Sequence, residues 1–380
     1  MSSPLLAETG RCVACGLCLP HCPTYRKTQS EADSPRGRIM LTQAVLQGAL
    51  PANARYAEHI DLCLTCRACE HACPNHVPYG AIVDEARALI RKNRTPPLMQ
   101  RLAAHLMANP SWWRPGNLVV RLANLLRLRK FLPALPAVSA SYLWRPRYDT
   151  PDAVGDVSLF LGCASSMLDT ETLASAVFVL NRLGYTVHIP TGQTCCGGLH
   201  RQAGDKAVAE ALEQRNCDAF GNMPVLTVAS GCGARLIEAM PERVQDISTF
   251  LAQCDWQGVE VKPLDATIAV HDSCSLRNGL KAEKHPYALL QRIPGARIKV
   301  LPGNDQCCGG AGSYMLTQPE MANRLLQDKM ESYQTTQSEY LATSNFGCAL
   351  HLSRGLGNDT RIAHPVWIVA RQMGFEGKLS

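Results

Sequence analysis

The alternation of hydrophobic and polar positions changes rhythm near residue 150. Before that point, apolar side chains recur at helical spacing. Ile39, Leu41, Ala44, Val45 and Leu46 predict a short helix. Ile82, Val83, Ala86, Leu89 and Ile90 line one side of a second helix over 79–92. From Val157 the texture shifts to short apolar runs separated by helical stretches. The runs 157–161, 225–229, 268–270 and 340–343 read as buried strands. Each leads to a cysteine: Cys163, Cys232, Cys274 and Cys348 in turn. Residues 172–183, 207–220 and 321–333 read as the intervening helices. This alternation predicts α/β layers with a mainly parallel sheet. In such layers the chemistry lies outside the carboxyl ends of the strands, where these cysteines fall.

The stretch between the two textures is basic and aromatic. Residues 91–150 hold eleven arginines and lysines against one acid, Asp149, which outweighs the whole chain's net charge of +6. Trp112, Trp113, Trp144 and a series of leucines interleave with Arg114, Arg121, Arg127, Arg129 and Lys130. A basic amphipathic helix of this kind suits a membrane interface, a partner subunit or packing on its own protein with the arginines reaching outward. No nucleic-acid recognition motif accompanies the charge. Pro133, Pro136, Pro146 and Pro151 mark a linker behind it.

The cysteines carry the chemistry. Cys12, Cys15, Cys18 and Cys22 precede Pro23, and Cys63, Cys66, Cys69 and Cys73 precede Pro74, at a constant offset of 51. Each run reads C-x-x-C-x-x-C-x-x-x-C-P, the spacing that holds a 4Fe–4S cluster in bacterial ferredoxins, where the fourth cysteine reaches across to the other cluster. The expected sets are therefore Cys12, Cys15, Cys18 and Cys73 for one cluster, and Cys63, Cys66, Cys69 and Cys22 for the second. Structural zinc prefers two separated pairs, and two complete runs, each with its proline, argue against it. Arg36 and Arg38 read as surface charges or as cations that stabilise reduced clusters.

The second half repeats internally. Cys163, Cys195-Cys196 with Gly197-Gly198, and Cys232 form one set. Cys274, Cys307-Cys308 with Gly309-Gly310, and Cys348 form the other, at offsets of 111, 112 and 116. The glycines let the backbone crowd against something bulky, a cluster being the candidate. Each quartet is a candidate site for a further iron–sulfur cluster or a thiol site. Cys217 and Cys254 fall outside the pattern and read as buried small hydrophobes.

Composition narrows the setting. With 380 residues, 46% hydrophobic and 18% charged, the chain supports several cores, and its 18 cysteines are not grouped as in small disulfide-linked secreted domains. Its start shows no apolar signal region or twin arginine, and no run of about 18 apolar residues exists. The expectation is a cytoplasmic protein, free or peripheral on the cytoplasmic face of the inner membrane. Its fold is expected to be α+β overall: an α-helical ferredoxin-like cluster module (1–93), a basic aromatic linker (94–152), and two tandem α/β cysteine-rich (CCG) domains (153–262 and 263–380).

Two ladders followed by two such domains resemble the iron–sulfur subunit of bacterial glycolate oxidase. The resemblance rests on Cys12-Val13-Ala14-Cys15-Gly16-Leu17-Cys18, Pro35-Arg36-Gly37-Arg38-Ile39, Leu62-Cys63-Leu64-Thr65-Cys66-Arg67, Ser230-Gly231-Cys232-Gly233 and Gly347-Cys348 with His351. The paired-cysteine half is similar to that of heterodisulfide reductase. That family has a further cysteine after the last one in each repeat, where this chain has Arg235 and His351, and His351 stands as a candidate replacement ligand. The resemblance implies FAD-containing partner subunits that oxidise glycolate to glyoxylate, and electrons leaving through the clusters to a quinone or another carrier. No G-x-G-x-x-G follows a strand in this chain, so no flavin is expected on it. D-lactate or glycerol 3-phosphate as substrate, and a disulfide reductase, are the alternatives.

Overall fold

The computed structural model describes residues 4–94, 98–126, 142–356, 360–377 and Leu379. The N-terminal part is helical: α1 Pro4–Gly10, α2 Pro23–Thr28, α3 Pro35–Leu46, α4 Ala54–Asp61, α5 Ala68–His71 and α6 Tyr79–Asn93. Local sequence explains the starts. Ser34 Oγ accepts the Gly37 N–H at 2.9 Å ahead of Pro35, and Asn53 Oδ1 accepts the Tyr56 N–H at 3.0 Å. Ile39, Tyr56, Ile60, Ile82, Val83 and Ala86 close one apolar core under the two ladder loops. The α3 and α6 helices fall where the periodicity put them. α4 lies between them in a stretch the periodicity left unassigned.

The basic segment forms two helices rather than one, α7 Leu98–Ala108 and α8 Trp113–Leu125, with Asn109 and Pro110 between them. Arg127, Arg129, Lys130 and prolines 133 and 136 lie outside the described residues. The polar Asn117 of α8 faces inward and donates to the Met167 carbonyl at 2.7 Å. Leu118, Val119, Leu122, Leu125 and Leu126 face outward, each more than half exposed.

Two parallel sheets make up the rest. The first holds β1 Arg147–Tyr148, β2 Gly155–Phe160, β3 Tyr185–His188, β4 Val225–Thr227 and β5 Val244–Asp246 in the order β1-β3-β2-β4-β5, with only β1 antiparallel. Its helices are α9 Cys163–Leu168, α10 Thr170–Arg182, α11 Gly198–Gln202, α12 Lys206–Phe220, α13 Ser230–Ala239 and α14 Ile247–Gln253. The second sheet holds β6 Thr267–His271, β7 Arg297–Val300, β8 Tyr340–Thr343 and β9 Arg361–Ala363 in the order β7-β6-β8-β9, all parallel. Its helices are α15 His285–Leu290, α16 Tyr314–Thr317, α17 Pro319–Gln334, α18 Phe346–Leu352 and α19 Pro365–Gln372. One hydrophobic core joins both sheets, with Leu173, Val177 and Leu180 of α10 packed with Val366 and Val369 of α19. The two strand ends also meet: Ser230 Oγ lies 2.7 Å from Ser273 Oγ, and the Ser230 N–H donates to the Ser344 carbonyl at 2.9 Å.

Candidate metal centre

The two ladder loops curl alike. Ala14 and Gly16 in the first, and Thr65 and Arg67 in the second, all adopt left-handed backbone with φ of 54°, 86°, 51° and 60°. These positions are also 51 apart. A β-branched threonine in this region is a steric outlier, and it recurs here because both loops must turn their cysteines to one side. Alternating handedness of this kind points successive N–H groups inward, a cradle for negative charge. The Thr65 N–H accordingly lies 3.3 Å from Cys63 Sγ.

Each loop opens on a cavity. The first, with about 470 Å³ of empty space counting its open mouth, is lined by Cys12, Cys15 and Cys18 together with Cys73 and Cys69. The second, about 290 Å³ on the same measure, is lined by Cys63, Cys66, Cys69 and Cys22. The last cysteine of each run thus lies at the other run's cavity. Burial pushes the Cys18 thiol up to about 11, and burial beside neighbouring thiols pushes Cys66 and Cys69 well above the ordinary range. Crowded thiols of this kind become thiolates when a cation joins them, which is the donor chemistry of an iron–sulfur cluster.

Protein cations surround the second cavity. Arg38 is 1% exposed, so it is no surface charge. Its Nε donates to the His59 carbonyl at 2.6 Å and its Nη2 to Thr24 Oγ1 at 3.1 Å. Burial pulls its guanidinium down, but Tyr79 and the thiols of Cys63 and Cys22 outweigh this and hold it charged. Arg87 of α6 grips the loop through the Cys63 backbone carbonyl (2.6 Å) and the Thr65 hydroxyl (2.7 Å). Tyr79 Oη lies 3.6 Å from Cys63 Sγ. At the first cavity Arg36, paired with Glu31, donates to the Ala14 carbonyl at 2.9 Å.

Both later quartets assemble. Cys163 Sγ stands 3.4 Å from Cys195 Sγ, and Cys196 hydrogen-bonds the Cys195 and Cys232 thiols. Those bonds, the Gly198 N–H and the Arg235 charge pull the Cys196 thiol down against burial. In the second set Cys274 Sγ and Cys307 Sγ are 3.8 Å apart, and the free Cys308 thiol hydrogen-bonds the Cys307 and Cys348 thiols. The Gly309 and Gly310 N–H groups approach Cys307 and Cys308 Sγ at 3.5 and 3.4 Å. Three of the glycines after the pairs, Gly197, Gly309 and Gly310, crowd protein backbone, whereas a Cβ on Gly198 would meet only Cys196 Sγ at 3.5 Å. A Cβ on Gly197 would meet the Ala209 carbonyl oxygen at 3.0 Å, and one on Gly309 the Ala322 carbonyl oxygen at 2.7 Å.

The quartets differ in their neighbours. Cys274 and Cys307 pack in one apolar cluster with Cys66 of the second ladder, fastened by Asn278 Nδ2 to the Cys66 carbonyl (2.8 Å) and Tyr314 Oη to the Leu62 carbonyl (2.9 Å). The first quartet packs instead against Trp113, Met107 and Met167 below α8.

Residues 8–77 match the 4Fe-4S dicluster domain family, and residues 157–237 and 268–353 each match the cysteine-rich domain family. The probable glycolate oxidase iron-sulfur subunit of Bacillus subtilis (strain 168) is 32% identical over 92% of this chain and 89% of its own length. The glycolate oxidase iron-sulfur subunit of Escherichia coli (strain K12) is 31% identical over 95% and 93%. The chain belongs to the glycolate oxidase iron–sulfur subunit family. The crystal structure of a hypothetical protein from Helicobacter pylori shares the fold, with a TM-score of 0.56 and 9% identity over 92% of this chain and 69% of that one.

As a member of that family the chain is an iron–sulfur protein and an electron-transfer subunit of an oxidoreductase. Among the described residues no helix is long and apolar enough to cross a membrane. The two places where heterodisulfide reductase has an extra cysteine take different forms here. Arg235 pairs with Glu238 at 2.8 Å, Glu213 at 3.4 Å and Asp84 at 3.5 Å. His351 bonds the Ala322 carbonyl through Nε2 at 3.1 Å, packed over Gly309 and Gly310. Cys217 and Cys254 are half-buried, bonding the Ala239 and Phe250 carbonyls. Sequence reading missed Arg87, Lys329 and His271. The buried Lys329 ammonium lies near Cys307, Cys308 and Cys348. The donor atoms of His271, Cys308 and Cys348 all lie within 4.8 Å of one another. The signal for His271 was its place at the end of a strand, three residues before Cys274.

Proposed function

We propose that this chain carries electrons for a flavin-linked 2-hydroxy-acid dehydrogenase that oxidises glycolate to glyoxylate. In this reading Cys12, Cys15, Cys18 and Cys73 hold one 4Fe–4S cluster, and Cys63, Cys66, Cys69 and Cys22 hold a second. Bound there, the clusters supply one-electron transfer. The residues fit the group: inward-turned loops, crowded thiols and buried cations beside them. The observation that carries the reading is the continuity of thiols, from the first cavity through Cys69 to the second, and from Cys66 to Cys274 and Cys307. That line is what a relay needs and a fold staple does not.

Glycolate gives up two electrons and two protons. The hydride step needs a flavin or nicotinamide, so FAD is assigned to partner subunits in a hetero-oligomer. This chain's residues then position and charge-balance the relay: Arg87 holds the second loop, Arg36 holds the first, and Arg38 ties α4 to Thr24 beside the second cavity. The quartets around Cys195-Cys196 and Cys307-Cys308 are further thiol sites beyond it. The acceptor is a membrane quinone, met through the outward apolar face of α8 at the cytoplasmic side.

The test is anaerobic co-purification with the FAD subunits. About eight irons should be assigned to the ladders. Glycolate, and neither D-lactate nor glycerol 3-phosphate, should bring up their EPR signal. Cys66→Ser should abolish the second signal. A signal reduced better by D-lactate would move the substrate, and clusters that no hydroxy acid reduces would sink the relay.

A further inference from the structure

The two cysteine quartets are not copies of one site. Counting from each first cysteine, Phe160 of the first repeat corresponds to His271 of the second. The helices behind them differ too. Gly197 abuts Ala209 as Gly309 abuts Ala322, so Asn216, seven residues on, corresponds to Lys329. Phe160 and Asn216 do structural work in the first repeat. The Phe160 ring packs at a tilt against Phe220, 6.1 Å between centroids, and Asn216 accepts the Thr194 N–H (2.8 Å) and donates to the Cys195 carbonyl (3.0 Å). In the second repeat the same two places carry an imidazole and an ammonium.

His271 is 2% exposed at the end of β6. Its Nδ1 lies 2.9 Å from Thr343 Oγ1 on the adjacent strand β8. Such a bond fixes the ring's orientation and leaves Nε2 as its other nitrogen, the arrangement usual for a metal-ligating histidine. Cys308 and Cys348 complete a triad whose donor atoms lie within 4.8 Å of one another, all three residues buried. Asn345 Nδ2 approaches Cys348 Sγ at 3.4 Å and the Gly310 N–H approaches Cys308 Sγ, so both sulfurs have donors suited to thiolate. Lys329, held by the Gly303 carbonyl at 2.5 Å, adds a buried positive charge beside them. Two thiolates and one imidazole suit zinc or iron. The first quartet offers no such nitrogen, since Phe160 fills its place.

We propose that His271, Cys308 and Cys348 form a mixed sulfur–nitrogen metal site, with His271 as its nitrogen ligand. Cys274 and Cys307 lie on the side of this site that faces Cys66. The site would hold zinc or iron separate from the two ladder clusters, and it deepens the reading of the second quartet as a further centre.

The experiment uses the full chain, purified anaerobically. Elemental analysis separates the sources: zinc at about one per chain, or iron beyond the ladders' share. For zinc, K-edge absorption should show a nitrogen scatterer. For iron, pulsed EPR on protein labelled with 15N-histidine should show nitrogen coupling. His271→Phe copies the first repeat's residue at that place and should lose this metal and its nitrogen signature. His271→Cys keeps a ligand, so it should keep the metal while losing the nitrogen. Wild-type protein with no metal beyond the ladder clusters would overturn the site. So would a nitrogen signature that survives both substitutions. Either failure with the ladder signals intact leaves the proposed relay standing, whereas loss of the ladder signals themselves speaks against the relay.

Discussion

A buried guanidinium beside thiols does two jobs, and Arg38 shows how to separate them. It satisfies the His59 carbonyl and Thr24, and it places a positive charge between Cys22 and Cys63. Arg38→Met keeps much of the volume and removes both. The expected cost is about 3–5 kcal/mol by thermal or denaturant unfolding, with a more negative reduction potential in a redox titration. Arg36→Met, at an exposed ion pair screened by solvent, should leave the unfolding midpoint nearly unchanged. Asp246 gives a prediction in pH. It is 1% exposed, its Oδ1 accepts the Ser248 N–H at 2.8 Å, and burial raises its carboxyl to about 7. A carboxyl with a raised folded pKa favours the fold most when protonated. Its contribution is fully present below about pH 3.8, the unfolded value, and is lost as pH rises toward 7, at about 1.4 kcal/mol per unit. Asp246→Asn keeps the accepting oxygen, so melting curves between pH 5 and 8 should flatten in the variant. An unchanged slope would exclude Asp246 as the source. At this scale the cysteines were legible because covalent spacing alone names them. Arg87, Asp246 and His271 were not, since each acts through a contact made by folding.

Elements buried on both faces were easy to read. The runs behind β2, β4, β6 and β8 are mostly apolar stretches in the inner strands of the two sheets, with only small hydroxyl residues such as Ser158, Thr227 and Thr343 among them. Strands toward the edges were missed: β7 alternates Arg297 and Lys299 with apolar residues and is largely exposed, so its pattern resembles a loop's. The run 225–229 was read too long because apolarity continues after the backbone turns, and β4 ends at Thr227 so that α13 can begin at Ser230. The paired glycines read in the sequence as room for a bulky group, and in the fold Gly309 and Gly310 also let the helices α17 and α18 approach the turn. A Cβ on Gly310 would stand 2.8 Å from the Gly347 carbonyl oxygen and 2.9 Å from His351 Cβ. Gly310→Ala must therefore push α18, which carries Cys348, away from the Cys307-Cys308 turn. The expected loss is about 1–3 kcal/mol, together with altered thiol accessibility at Cys348. Gly10→Ala, where nothing lies within 4 Å of the added carbon, is the control and should be neutral. Equal melting points for the two variants would show that the turn has slack.

On the scale of the whole molecule, charge and apolarity are both unevenly placed, and they coincide. The chain's net +6 is more than supplied by residues 91–150, so the remainder is net acidic. Within that basic stretch α8 is inverted. Asn117 turns inward toward Met167, and Leu118, Val119, Leu122, Leu125 and Leu126 form a continuous stripe toward solvent, with Arg114 exposed at its start and Trp112 half-exposed just before it. A water-facing helix gains nothing from that arrangement, whereas an anionic bilayer surface rewards the leucines by burial and the arginines by attraction. The first quartet lies beneath this helix, so docking here would bring a thiol site close to the bilayer and to the proposed quinone. The substitutions Leu118→Gln, Leu122→Gln and Leu125→Gln together should leave the melting point unchanged, because these side chains are largely in solvent. Each leucine withdrawn from water is worth about 1.5–3 kcal/mol, so the triple variant should weaken vesicle binding at least about a thousandfold. Flotation with phosphatidylglycerol vesicles reads this directly. Wild type should float with them, float poorly with neutral phosphatidylcholine, and release partly in high salt as the arginines are screened. If wild type ignores both vesicles while the triple variant loses the proposed flavoprotein partner on co-purification, the stripe belongs to a protein partner instead, and the proposed quinone must be reached from another face.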